Sequence, residues 1–317
     1  MIDYGATFKR LREDKGLKIV DLEQVNISRS LIGKFEKGQT RMSADRLDKL
    51  LADMGVSHDE FLFLGGETNN NYIYTTLQNI GTQTGKAKEI QHLEKVISQS
   101  TSDLKHGRGG INARFMREFG LMVKAGFDHK NDFDELYQSD QVQKHVKPAV
   151  DFLKATETWG RMELDLFMLF YIGMGPDDLL VLGRLATQKA GLYSQLRTEK
   201  KRLLDIIYTA FNGLLYIDLN GATEMLLQEE KILSSMNESL IDLTSERIRL
   251  RAGKGLLKIM SGDTSNGIKA VMSVVEIYEL VGLLNNATEL KNIVERTQQA
   301  IITGKTNEIP HMYSLLI

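Results

Sequence analysis

The 317-residue chain contains no cysteine. That excludes a disulfide framework, a zinc–thiolate site and a cysteine nucleophile together. Proline is nearly as scarce, with 3 in the whole chain, where ordinary usage is about 5%. All-β and loop-rich folds need many more turn-setting prolines, so the chain reads as mostly helical. Long apolar runs are missing too. The most apolar stretch, Leu164 to Met174, contains Asp165 and falls well short of the roughly 18 to 20 residues of a membrane span. The amino terminus, Met1-Ile2-Asp3-Tyr4-Gly5, carries neither the basic nor the apolar segment of a signal peptide, so a cytoplasmic protein without a membrane partner is expected. Neither sign of charge is in large excess: the net charge of -2 argues against a uniformly basic nucleic-acid binder but leaves room for local patches. The histidines at 58, 92, 106, 129, 145 and 311 show no metal-ligand spacing, and neither a zinc-protease nor a phosphate-loop motif occurs. GRGG at Gly107 to Gly110 lacks the lysine and hydroxyl residue of a phosphate loop and reads as an interhelical turn. No metal, cofactor or catalytic activity is expected.

What is present is helical periodicity in two different rhythms. From Tyr4 to about Leu64 the pattern is of short helices separated by tight turns. Phe8 and Leu11 pair on a first helix that stops near Gly16. Ile19, Leu22 and Val25 mark a second. Ser28 caps a third carrying Leu31, Ile32 and Phe35, which ends at Gly38. Ser43 caps a fourth with Leu47, Leu50, Leu51 and Met54, and Ser57 caps a fifth with Phe61, Leu62 and Leu64. Gly65, Gly66, Glu67, Thr68 and the asparagines after them read as a linker, which gives domains at 1–66 and 67–317. Beyond Tyr72, longer helical patterns alternate with short breaks: Glu199 to Leu219, Ala222 to Met236, Leu240 to Met260, Ser265 to Leu284 and Thr288 to Ile302. Antiparallel pairs of this length fit a right-handed solenoid of the tetratricopeptide kind, although no clean ~34-residue consensus repeats. The expected fold class is therefore all-α, with a five-helix domain followed by a helical repeat domain.

The third short helix divides its residues by chemistry. Ser28, Arg29 and Ser30 form a polar first turn, and Ile32 and Phe35 sit three apart on the opposite side. A helix that reads base edges in a major groove ~12 Å wide needs this division. Arg29 can donate two hydrogen bonds to guanine O6 and N7, which makes it the preferred base reader. Lys34, Lys37 and Arg41 lie toward phosphates and supply affinity. Between Ser28 and Arg41, four basic residues face the single acid Glu36.

The strings TFKRLREDKGL, ISRSLIGKFEKGQTRMS and LLADMGVSHDEF resemble the xenobiotic-response-element class of helix-turn-helix domains and, more narrowly, the amino-terminal domain of Rgg/MutR transcriptional regulators. WGRMELDLFMLF at Trp159 to Phe170 is similar to a segment of the same family. The resemblance implies a homodimer that reads an operator of two half-sites about one DNA turn apart, and a repeat domain that binds a short peptide pheromone. It also implies an ion pair between Arg12 and Glu36. Two positions depart from the pattern: Gly33 stands where serine is usual, and Glu23 where a small residue is usual.

In the larger domain three polar stripes keep helical spacing: Arg161, Asp165 and Met168; Lys201, Asp205, Tyr208 and Asn212; and the basic ridge of Arg247, Arg251, Lys254 and Lys258. Each reads either as a solvated face or as a surface that holds an extended peptide, and the resemblance favours the second. Arg161, Asp165, Tyr208, Asn212, Arg247, Arg251 and Lys254 are the candidate peptide-binding residues. Asn212 leads because an amide side chain donates and accepts at once. A competing reading makes the array a scaffold that sequesters a protein partner, with the small domain as its tether.

Overall fold

The computed structural model describes residues 3–24, 26–65, 86–128, 136–190, 197–235 and 243–303. Two compact units result, Met1–Gln78 and Asn79–Ile317. The expected boundary after Gly66 and Val25 of the expected second helix both lie outside the described residues.

Helix α1 (Tyr4–Asp14) opens on Asp3, whose carboxylate accepts from the Ala6 N–H at 3.0 Å. The second helix of the sequence reading is a single 3-10 turn, Ile19–Leu22. It stops because Glu23 leaves in extended conformation, and Gln24 and Ile27 then exchange both backbone hydrogen bonds at 3.1 Å, closing a tight loop. Helix α2 (Arg29–Glu36) starts at Ser28, whose hydroxyl accepts from the Leu31 N–H at 3.3 Å. Gly38 ends it with φ +68°, and the Gln39 N–H bonds back to the Lys34 carbonyl at 2.9 Å. That left-handed conformation costs a non-glycine residue energy. Helices α3 (Ala44–Asp53) and α4 (His58–Leu64) complete the unit. Ser43 stands at the start of α3 but its hydroxyl makes no capping bond, whereas Ser57 caps α4 through the Glu60 N–H. The apolar positions converge on one core, with Phe8, Ile32, Leu50 and Phe61 fully buried and the Phe8 and Phe35 rings 5.7 Å apart.

The second unit stacks helices in antiparallel fashion: α5 (Lys86–Lys105), α6 (Gly110–Asp128), α7 (Asp140–Ala155), α8 (Arg161–Phe170), α9 (Pro176–Lys189), α10 (Arg197–Leu214), α11 (Leu219–Ser234), α12 (Thr244–Met260), α13 (Thr264–Leu280) and α14 (Leu284–Thr303). Consecutive helices pack together apart from α8 and α9; α7, α9 and α11 also sit side by side, as do α8 with α10 and α12 with α14, which makes two layers. No strand occurs among the described residues. The GRGG segment is the turn between α5 and α6, with Gly107, Gly109 and Gly110 all at positive φ. Trp159 is fully buried between helices and donates its indole N–H to the Leu153 carbonyl at 3.1 Å. Backbones approach closely where α12 crosses α13: a methyl added at Gly267 would lie 2.6 Å from the Gly255 carbonyl oxygen.

Helix limits depart from expectation where a cap overrides periodicity. The break expected after Leu219 falls earlier, because the Asp218 carboxylate accepts from the Gly221 N–H at 3.0 Å and starts α11 at Leu219. Helix α13 stops at Leu280, not Leu284, since Gly282 takes φ +81° and the Leu283 N–H returns to the Tyr278 carbonyl. The expected helix end at Met236 and helix start at Leu240 lie outside the described residues.

Candidate nucleic-acid interface and buried polar cluster

Helix α2 shows one face to solvent and buries the other. Ser28, Arg29, Ser30, Lys34, Lys37 and Arg41 are all exposed, whereas Ile32 and Phe35 are in the core. Behind the helix, the Arg12 guanidinium forms a two-pronged pair with Glu36, Nε to Oε1 at 2.7 Å and Nη2 to Oε2 at 2.9 Å. Its Nη1 donates to the Leu17 carbonyl at 2.6 Å. The hydrogen bond to Glu36 holds the Arg12 pKa above its usual value. This pair ties α1 to the end of α2. Arg29 donates from Nε to the Glu23 carboxylate at 2.7 Å. Gly33, the other departure, leaves room: a Cβ there would meet only Ile19 Cδ1 at 3.9 Å.

In the larger unit, acids and bases of α8, α10, α11 and α12 close over one another. Asp165, 2% exposed, accepts from Arg202 and faces Arg161 Nε at 3.9 Å. Arg249 is the hub: it donates to Asp205 on α10, reaches Glu229 on α11 at 3.2 Å and lies 4.8 Å over the Tyr208 ring. Lys201 meets Glu246 at 3.6 Å. Burial pushes the Glu229 carboxyl up to about 7 and raises Asp205 as well, against the pull of Arg249. Burial works against the charge on Arg249, but Glu229 and Asp205 overcome it and hold its pKa high. Desolvation raises Tyr208. On the same helix as Asp205 and Tyr208, Asn212 is 6% exposed, and among the described residues neither its amide nitrogen nor its carbonyl oxygen has a partner. Gln228 Oε1 and Glu229 Oε2 are in the same condition. Native interiors satisfy nearly all such atoms, and these three side chains depart from that rule.

Of the candidate ligand residues, Arg161 and Asp165 meet on α8, and Tyr208 and Asn212 share one face of α10 with Lys201 and Asp205. The basic ridge instead engages its flanks: exposed Arg247 donates to the Leu233 carbonyl at 3.2 Å, Arg251 to Ser273 on α13 at 2.7 Å, and Lys254 pairs with Glu230 on α11. Arg202, Glu229, Glu246 and Arg249 escaped the sequence reading. Their signal was faint: Glu246, Arg249, Gly253 and Leu256 repeat at helical spacing, and Gly253 admits the Tyr208 and Phe211 rings at 3.3 and 3.1 Å from where a Cβ would be.

Two family profiles match. The profile described as helix-turn-helix covers residues 8–61, and that of the carboxy-terminal domain of the HTH-type transcriptional regulator Rgg covers residues 124–292, more than half of the chain. The chain belongs to the Rgg family of transcriptional regulators. Solved structures share the fold of this Rgg-family chain. A putative transcriptional regulator from Listeria monocytogenes EGD-e has a TM-score of 0.77 at 15% identity, covering 94% of this chain and 98% of the other. The SHP pheromone receptor Rgg2 of Streptococcus dysgalactiae has a TM-score of 0.71 at 18% identity, over 92% and 99% of the two chains. PrgX in its complex with cCF10 has 0.62 at 12% identity, over 94% and 93%. Among the described residues of the Rgg-family chain no helix is long and apolar enough to cross a membrane, and no cluster of three metal-ligating side chains occurs.

Proposed function

We propose that this chain is a cytoplasmic, homodimeric Rgg regulator whose small domain reads two operator half-sites and whose repeat domain takes a short peptide pheromone. The observation that carries the DNA reading is the exposed first turn of α2, with Arg29 and Ser30 outward and Ile32 and Phe35 anchored. Arg29 reads a guanine, Ser28 and Ser30 hydrogen-bond nearby base edges or phosphates, and Lys34, Lys37 and Arg41 neutralise phosphates. The domain would be one of a pair, because so few base contacts give weak binding alone.

For the peptide the supporting feature is the orphaned Asn212 amide. It pairs with a peptide backbone unit through one donor and one acceptor, while Tyr208, Asp165 and Arg161 fix what lies on either side. Arg247, Arg251 and Lys254 belong to the same proposal as an outer rank, each exchanging its present partner for a ligand carboxylate. Similar folds in a pheromone receptor and in a PrgX–cCF10 complex support a peptide ligand. Peptide acts by population shift: it changes DNA binding only to the extent that its affinity differs between two arrangements of the dimer. Native mass spectrometry of the protein taken from its own organism tests this reading. A dimer carrying a bound mass of several hundred daltons per protomer is expected. A stoichiometric protein partner in place of that mass would favour the sequestering scaffold and overturn the peptide reading.

A further inference from the structure

We infer that Glu23 is a positioning residue for base readout, holding the Arg29 guanidinium so that only its terminal edge is offered to DNA; the inference rests on α2 entering the major groove as proposed above. Three observations converge on it. First, the bond is specific: Glu23 Oε2 accepts from Arg29 Nε at 2.7 Å, and among the described residues neither Arg29 Nη1 nor Nη2 has a partner. An arginine can approach guanine O6 and N7 by its Nη1/Nη2 end or by its Nε/Nη2 side. With Nε occupied, the end remains.

Second, the carboxylate stands on fixed backbone. Leu22 before it is 2% exposed. Gln24 after it is locked to Ile27 by two backbone bonds of 3.1 Å and reaches Asp53 on α3 with its side chain. Third, Arg29 is the first residue of α2, at the positive end of the helix dipole, and the first turn contains no acid of its own. A cation is disfavoured there and an anion favoured; Glu23 supplies that anion from the preceding segment. Both side chains are open to water, 61% and 40% exposed for Arg29 and Glu23, and such a pair adds little to folding stability. Its effect falls on the bound state instead. An arginine ordered in advance loses less side-chain entropy on binding, and the Glu23 charge weakens contact with any phosphate while leaving the guanine pair intact.

The test uses the full-length protein and a duplex library with a randomised core, followed by the selected duplex and its single-base variants. Wild type is expected to select a guanine whose preference Arg29→Ala abolishes. Glu23→Ala should cut discrimination at that one position at least about five-fold, leave the other positions alone and steepen the log–log salt dependence by up to about one. Glu23→Gln, which still accepts the bond without the charge, should keep most of the discrimination and share the steeper slope. Melting temperatures should stay within a degree or two for both variants. If Arg29→Ala relaxes the guanine but Glu23→Ala does not, the positioning role is wrong and the DNA reading stands. If neither Arg29 nor any other α2 variant alters selection, the DNA reading itself has failed.

Discussion

Arg12 and Glu36 show how much a single residue pair can decide. Their side chains are 8% and 5% exposed, and each is desolvated for the sake of the other. Taking away one member leaves a charge buried alone, which costs about 3 to 5 kcal/mol, whereas replacing both with apolar residues of similar size is close to neutral. Arg12→Met should therefore lower the urea midpoint of the small unit by an amount equivalent to about 3 kcal/mol, and the double variant Arg12→Met/Glu36→Leu should recover most of it. Equal loss in single and double variants would mean that packing, and not the ion pair, links α1 to α2. Asn212 is the reverse case. Its unpaired amide already lowers stability, so Asn212→Leu should leave the free energy of unfolding unchanged or raise it by up to about 1 to 2 kcal/mol, while abolishing binding of the peptide identified by mass spectrometry. Destabilisation by the leucine would assign Asn212 to the fold and remove it from the ligand site. The Arg12–Glu36 pair was legible as an implication of family resemblance; Arg29 and its exposed neighbours were legible from chemistry alone. Glu23 was visible only as a departure, because nothing in a sequence says that a loop carboxylate will reach a side chain six positions on.

Among elements, α10, α11 and α12 share a cluster of charges as well as apolar contact. The stripe reading grouped Arg247, Arg251 and Lys254 because their spacing is regular. Arg249 lies between them in sequence and turns the other way, toward Asp205, Glu229 and Tyr208. Periodicity assigns a face to each residue but cannot say which neighbouring helix will cover it, and that is why the hub went unread. Helix existence was legible for the same reason that exact limits were not: apolar spacing persists through a turn until an Asp218 cap or a positive-φ Gly282 stops it. The hub makes stability depend on pH. With burial holding the Glu229 carboxyl near 7 in the folded chain, against about 4.3 in an unfolded one, the folded state binds the extra proton between those values. Stability then falls as pH rises from about 4.5 to 7, by on the order of 2 to 3 kcal/mol. Asp205, also raised by burial, adds to the same direction at lower pH. Glu229→Gln keeps the shape without the titration and should flatten the slope of urea stability against pH across that window. An unchanged slope would place the titrating group elsewhere.

At the scale of the molecule, the division into Met1–Gln78 and Asn79–Ile317 assigns the proposed DNA-reading helix to one unit and the proposed peptide site to the other, and each unit has a core of its own. A ligand stabilises what it binds by RT ln(1 + [L]/Kd), about 2.7 kcal/mol at a hundredfold excess over Kd. Because Asn212 and the Arg249 hub lie wholly within the second unit, saturating peptide should raise the unfolding transition of that unit and leave the first where it was. Differential scanning calorimetry of the full chain, with the isolated 1–78 segment run alone to assign its transition, checks this. Duplex DNA should do the converse, shifting the 1–78 transition. When both are present, any displacement beyond what each ligand causes alone measures the coupling between the sites, and reciprocity requires the same value whether peptide or DNA is added second. Shifts that simply add would mean the two sites ignore each other, and the regulator would have no route from pheromone to promoter.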